Sequence, residues 1–130
     1  MKIDKEIEEI ILKANMVTEM NILITDDEKV IYYIGDTEKC KKYLYSEISG
    51  DMKNLTTENE NLEILTEDKV IKILNNDSEE YCCQLIYPFF EESKLKRCIV
   101  FYKSDNTFTE KEIFIINSTM YLIKKYLNIN

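Results

Sequence analysis

Residues 81–104 decide the fold and read YCCQLIYPFFEESKLKRCIVFYKS. Two apolar runs, residues 81–90 and 98–102, flank a charged connector at residues 91–97. Both runs are rich in aromatic and branched side chains and are too short for good helices, so we predict two paired strands. The second run, CIVFY, is apolar throughout, which predicts a strand covered on both faces. Such a sheet leaves room for helices on one side and a pocket on the other, which favours a sensor or binding domain.

Length and composition predict a single soluble domain over residues 1–130. The chain is 45% hydrophobic and 32% charged, the balance of an ordinary globular protein. Its net charge of −8 at pH 7 disfavours nucleic acid and anionic membranes as partners, because both are bound through Lys and Arg. No apolar run approaches the roughly 20 residues that span a bilayer, and the acidic N-terminus is unlike a secretory signal. We therefore expect a cytoplasmic protein with reduced cysteines.

Two absences narrow the chemistry. The sequence has no histidine, which excludes a Ser-His-Asp triad and histidine metal ligands. Its only glycines are Gly35 and Gly50, which excludes a Walker A loop and a GxGxxG dinucleotide fingerprint. Its four cysteines include no CxxC pair, so we expect no metal site and no cofactor. These observations favour a protein that is not an enzyme.

Amphipathic helices are predicted at both ends of the chain, over residues 3–18 and 109–127. Apolar residues recur at intervals of three and four in both segments, and Thr109 with Glu112 forms a capping box. The two stripes should pack side by side on one face of the sheet. Apolar surface that the sheet does not cover would bury against a second copy as a four-helix bundle. The residues that we expect in this homodimer are Ile3, Ile7, Ile10, Ile113, Ile116, Met120, Ile123 and Leu127.

The segment between the helices predicts further strands and short helices. The overall pattern is an α+β fold with an antiparallel sheet of five to six strands. The terminal helices lie together on one face of this sheet, and short helices lie on the other. We expect a hairpin of strands at residues 20–25 and 29–35, short helices at 37–45 and 49–55, and strands at 62–65 and 69–74.

The order of these elements resembles that of a GAF domain. The strings that carry the resemblance are ILITDDEKVIYYIGDTEKCKKYL, SEISGDMKNL, YCCQLIYPFF and RCIVFYK, followed by the terminal helix. Over residues 5–127 the chain resembles the C-terminal GAF domain of the stage V sporulation regulator T. The order is also similar to that of PAS, profilin-like and roadblock domains. That regulator has an N-terminal DNA-binding domain, for which this chain has no room, so the resemblance implies a stand-alone, sporulation-like regulatory module.

Our first functional hypothesis is a sensory domain that binds a small molecule between the sheet and residues 37–55. Binding would shift the packing of the terminal helices in a homodimer. The expected partners are a second copy, an unidentified small molecule and a regulatory protein. The pocket candidates are apolar or amphipathic residues that are predicted to face inward, namely Tyr43, Leu44, Ile48, Met52, Cys83 and Leu85.

Two alternatives remain open. One is an interaction module without a ligand, a degenerate GAF or roadblock-like fold whose core is filled. The other is a cysteine-dependent GAF-type methionine sulfoxide reductase. Adjacent Cys82 and Cys83 would point to opposite faces of a strand, and a turn near residues 91–94 would set Cys98 opposite Tyr87. Cysteines that fill the core as small apolar groups are therefore the simpler interpretation.

Overall fold

The computed structural model describes residues 4–18, 20–35, 42–55, 62–64, 71–75 and 82–127. The strands pair in the antiparallel order β2-β1-β5-β4-β3. The predicted α+β class with an antiparallel sheet is confirmed, whereas the number of strands and the GAF-specific details stay predictions. The elements are α1 (Lys5–Met16), β1 (Asn21–Thr25), β2 (Val30–Ile34), α2 (Gly50–Lys53), β3 (Leu62–Ile64), β4 (Cys83–Glu91), β5 (Lys94–Lys103) and α3 (Glu110–Tyr126).

Strand β5 lies at the centre of the sheet and separates two hydrophobic cores. We call them the helix-side core, beneath α1 and α3, and the opposite core. Ile99 and Phe101 belong to the helix-side core, and Cys98, Val100 and Tyr102 belong to the opposite core. All these side chains are buried. The strand covered on both faces that CIVFY predicts is therefore confirmed.

The hairpin of β4 and β5 is longer than the sequence predicts. The charged connector continues both strands, and the turn itself is only residues 92–93, both with positive φ. That conformation is typical of a two-residue turn matching the twist of the strands. A bulge after Phe89 adds one residue to β5, so Cys98 pairs with Pro88 and not with Tyr87 as predicted.

Helices α1 and α3 lie antiparallel on one face of the sheet. The Tyr126 hydroxyl donates to Asp4 Oδ2 at 2.8 Å, which joins the start of α1 to the end of α3. The predicted capping box of Thr109 and Glu112 is present in full. Each large apolar side chain buried here contributes on the order of 2 kcal/mol. The buried apolar residues of the two helices are Ile7, Ile11, Ala14, Ile116, Met120 and Ile123.

The connection from β5 to α3 is held by a buried ion pair. Lys103 Nζ lies 3.0 Å from Glu112 Oε1, and both side chains are almost fully buried. The same carboxylate accepts from the backbone N–H of Thr109 at 2.9 Å. Burial raises the pKa of the Glu112 carboxyl, but the bonds from Thr109 and Lys103 outweigh it and lower the pKa below its ordinary value.

Residues 42–55 and 71–75 form a covering layer over the opposite face of the sheet. At one side it bonds to the edge of β2, because Tyr45 N donates to Val30 O at 2.8 Å and Val30 N to Ser46 O at 2.9 Å. At the other side the buried Gln84 amide accepts from Ile71 N at 2.9 Å and donates to Ile71 O at 2.7 Å. Two separated strands of the sheet thus hold one layer.

The predicted strand at residues 69–74 is wrong for the described residues 71–74. These residues form a single bridge, between Ile48 and Leu74. The backbone of Ile71 bonds to the Gln84 side chain and not to the backbone of a strand. Residues 69–70 and most of the predicted helix at 37–45 lie outside the described residues. The short helix predicted at 49–55 is α2, and Ile48, Met52 and Leu55 are buried as expected.

We expect Gly35→Ala to destabilise the fold by about 1–3 kcal/mol. Gly35 has a φ of 153°, and an added Cβ would clash with Asn21 Oδ1 and lie 3.3 Å from the Tyr33 hydroxyl. Urea unfolding measures the loss. Gly50→Ala is the matched control, since a Cβ there meets nothing within 4 Å. An equal loss in both variants would contradict the steric argument.

Candidate functional site

The six predicted pocket residues lie on two different faces of the sheet. Tyr43, Ile48 and Met52 belong to the covering layer, and their side chains are buried in the opposite core, whereas Leu44 of the same layer is half-buried. Cys83 and Leu85 belong instead to the helix-side core. Their predicted orientation toward a ligand is therefore wrong. Successive residues of a strand point to opposite faces of the sheet. Gln84, which lies between Cys83 and Leu85, therefore faces the covering layer.

The space between the sheet and the covering layer is occupied by side chains. Ile48 and Met52 are fully buried there against residues of β1, β2, β4 and β5. A ligand that reached these two residues would have to displace core side chains. Opening a cavity in the core by removing large side chains costs several kcal/mol. The candidate clefts described below lie at the rim of the layer.

The first rim cleft has a volume of about 320 Å³. The Tyr43 ring forms part of its wall and packs edge-on against Tyr33, with ring centroids 5.8 Å apart. Lys42 Nζ lies 5.6 Å from the centroid of the same Tyr43 ring. The cleft therefore combines an aromatic surface with an ammonium group and a carboxylate. Its lining residues are Lys42, Tyr43, Ser46, Glu47, Leu74 and Asn75.

A second rim cleft adjoins the first, because Glu47 lines both. Tyr45 in its wall is exposed and has a φ of 68°, which is uncommon for a residue with a side chain. The hydrogen bond from Tyr45 N to Val30 O holds this conformation. Lys29 Nζ lies 5.6 Å from the Tyr45 ring centroid. Residues in uncommon backbone conformations cluster at functional sites, which supports this rim as the candidate site.

Only Tyr43 of the predicted pocket residues lines a rim cleft. Lys42, Ser46 and Glu47 were not predicted as pocket residues, although they fall inside residues 37–55, which were predicted to border the pocket. Leu74 and Asn75 were not predicted either, because Leu74 is the last residue of the strand predicted at 69–74 and Asn75 directly follows it. Their contribution depends on the bridge between Ile48 and Leu74, and local sequence carries no signal for it.

The outer face of α1 and α3 carries most of the exposed apolar side chains. Of the eight large apolar residues exposed in the described part of the chain, seven belong to these helices or to the α1 C-cap. An open groove of about 320 Å³ runs between the helices, with Val17, Phe114 and Leu122 in its walls. The seven exposed residues are Leu12, Met16, Val17, Phe114, Tyr121, Leu122 and Tyr126.

Most of the residues predicted for a dimer interface lie beneath the helices, although Ile10 also lines the groove. Ile7, Ile116, Met120 and Ile123 are buried in the helix-side core of the same chain. Ile10, Ile113 and Leu127 are half-buried against that core, and Ile3 lies outside the described residues. A dimer formed by the terminal helices would therefore use the exposed set. The signal in the sequence is that apolar residues such as Leu12, Phe114 and Leu122 lie beyond the main stripe.

The described cysteines do not form a reactive cluster. Cys83 is buried on the helix side and Cys98 in the opposite core, while Cys82 is half-buried. Burial raises the pKa of the Cys83 thiol to about 11 and also raises the pKa of Cys98. Because the thiolate is the nucleophile, both thiols are unreactive at neutral pH. The described residues contain no group of three or more potential ligands that could hold a metal ion.

A family model described as "Stage V sporulation protein T C-terminal, transcription factor" matches residues 2–128. The chain belongs to this family. The match extends over both terminal helices, the sheet and the covering layer, so the resemblance found in the sequence is confirmed. The members of this family are regulatory domains of a transcription factor. The chain is accordingly a regulatory, sporulation-like domain.

Two further findings accompany this assignment. No curated protein matches the chain. Within the described residues, no helix combines the length and the apolar character that crossing a membrane requires.

We expect Cys83 and Cys98 to resist thiol reagents until the protein unfolds. A Cys40→Ser, Cys82→Ser variant restricts the readout to these two thiols, and Ellman's reagent at pH 7.5 should label neither within minutes. In urea both should react at once, which is the internal control. Rapid labelling of the folded variant would contradict the burial argument and revive the reductase hypothesis.

Proposed function

We propose that this chain is a cytoplasmic, non-enzymatic regulatory domain that forms a homodimer through the outer face of α1 and α3. A small molecule that binds at the rim of the covering layer regulates the packing of these helices. The observation that carries the proposal is the concentration of exposed apolar side chains on the two terminal helices. The single domain over residues 1–130 that the composition predicts is part of the same proposal.

The dimer is supported by the size and shape of the apolar surface. Phe114 is 71% exposed and Leu122 is 49% exposed, and both border the groove. Burying one such side chain is favourable by about 2 kcal/mol. A two-fold axis presents the same surface on both copies, so Phe114 of each copy can enter the groove of the other. Two antiparallel helix pairs then form a four-helix bundle.

Ligand binding is supported by the chemistry of the first rim cleft. Its volume of about 320 Å³ lies at the lower end of the range for small-molecule sites. The Tyr43 ring offers an apolar contact, and the Lys42 ammonium offers an anchor for a negative group. Residues 42–47 and 74–75 belong to the two halves of the covering layer. A ligand between them would therefore stabilise the layer as a unit.

An interaction module without a ligand is the second candidate. The observation that favours it is the filled opposite core, where Ile48 and Met52 are fully buried. This candidate keeps the dimer and replaces the small molecule by a regulatory protein. The buried, protonated thiols disfavour the third hypothesis, the sulfoxide reductase.

We expect Phe114→Asp and Leu122→Asp each to weaken the dimer tenfold or more. A carboxylate in an apolar interface is costly, and a two-fold axis introduces the substitution twice. Light scattering and sedimentation over a concentration series measure the dissociation constant. Asn54→Asp is the matched control, since Asn54 is exposed in the covering layer, on the other side of the sheet from α1 and α3. A monomeric parent chain, or equal effects in all three variants, would refute the dimer.

We expect at least one class of anionic metabolite to raise the Tm in a thermal-shift screen. A ligand at a concentration of 100 times its Kd stabilises the folded state by about 2.7 kcal/mol. Lys42→Met should reduce this shift, because the ammonium at the rim is lost. Lys111→Met on α3 changes the charge equally and should leave the shift intact. A screen without a stabilising compound would favour the ligand-free module.

A further inference from the structure

Four of the six buried polar side chains among the described residues bond separate segments of the molecule to one another. Gln84 bonds the covering layer to β4, and Lys103 bonds to Glu112 at the start of α3. The Ser49 hydroxyl donates to Lys72 O and so links the two halves of the covering layer. Buried polar groups are costly unless they are bonded, so these contacts are positions where a layer is fixed. The remaining two of these six residues are Thr119, which bonds within α3, and Thr25, whose buried hydroxyl has no hydrogen-bond partner.

Two of these contacts lie at neighbouring positions of the sheet. Gln84 of β4 pairs with Tyr102 of β5, and the next pair in register is Cys83 with Lys103. Neighbouring residues of a strand point to opposite faces. The first pair therefore faces the covering layer, and the second pair faces α3.

The second pair holds the β5–α3 connection at two points. Lys103 Nζ donates to Glu112 Oε1 at 3.0 Å, and Cys83 Sγ donates to Asn106 O at 3.4 Å. Glu112 in turn accepts from Thr109 N, so the first turn of α3 depends on the position of the Lys103 ammonium. A shift of β5 at this point changes the capping of α3.

The first pair connects to the covering layer by a second route as well. The hydroxyls of Tyr102 and Tyr33 lie 2.9 Å apart, and the Tyr33 ring packs against Tyr43 of the covering layer. Tyr102 is fully buried and directly precedes Lys103. Because packed interiors transmit displacement, movement of Tyr43 reaches the residue beside the α3 anchor.

The geometry points to Gln84, Tyr102, Cys83 and Lys103 as a two-sided clamp that couples the covering layer to the first turn of α3. Loosening either layer loosens the other, because both are fixed at adjacent positions of β4 and β5. The clamp deepens the proposed function and rests on it in one respect, since it supplies the route by which a rim ligand changes the terminal helices. The coupling itself exists without a ligand.

Native-state hydrogen exchange tests the clamp in both directions. The Ser49 amide, bonded to Ile73 O, reports the covering layer, and the Ile113 amide, bonded to Thr109 O, reports the first turn of α3. Val100 in the middle of β5 reports global unfolding. Gln84→Met should speed exchange at Ile113 at least tenfold more than at Val100. Lys103→Met should speed exchange at Ser49 at least tenfold more than at Val100, since coupling is reciprocal.

A matched control and a double variant complete the test. Thr119→Val removes another buried hydrogen bond, from Thr119 to Ile115 O within α3, and should speed neither Ser49 nor Ile113 beyond Val100. In the Gln84→Met, Lys103→Met double variant, exchange at Ser49 and at Ile113 should each be accelerated by a smaller factor than the product of the two factors measured in the single variants. The clamp is refuted if each single variant loosens only its own layer, or if all amides change in step with Val100.

Light scattering on the same samples separates the clamp from the proposed function. A monomeric parent chain would overturn the proposed dimer, while the exchange ratios would still decide the coupling. A dimeric chain with independent layers would keep the proposed dimer and overturn the clamp.

Discussion

The structure depends on the burial of β5 from both sides. Its five apolar residues contribute to the two cores on opposite faces of the sheet, so neither the terminal helices nor the covering layer can be removed without exposing some of them. Burial on this scale supplies most of the favourable free energy of a small domain. Polar bonds then fix the position of each covering element, at the edge of β2 and at the junction of β4, β5 and α3.

The parts of the fold that local periodicity determines could be predicted from the sequence. The stripe on α3, its capping box and the first hairpin follow from spacing and turn chemistry alone. The orientation of β4 could not be predicted, because CCQLIYPFF does not alternate cleanly between apolar and polar residues. A polar Gln84 suggests a solvent-facing position, yet its amide satisfies the Ile71 backbone in the interior. That partner is 13 residues away in the chain, and no local pattern reveals it.

The candidate site was predicted less well than the fold, for a related reason. We predicted a pocket beside residues 37–55, and residues of this segment line the first rim cleft, but the other wall of the cleft comes from Leu74 and Asn75, whose position depends on tertiary bonds. The residues of the proposed dimer surface were also difficult to predict. Periodicity identified the buried stripes of α1 and α3, and the residues left over, such as Phe114, became informative only when the sheet showed how much of each helix it covers.

The hydrogen bond between Tyr126 and Asp4 has a consequence for how this domain can be connected to others. It brings the beginning of the first helix and the end of the last helix to one corner of the molecule. Polypeptide attached before α1 or after α3 therefore starts from nearly the same point. A change in the angle between the two helices would therefore move a domain attached at either end of the chain.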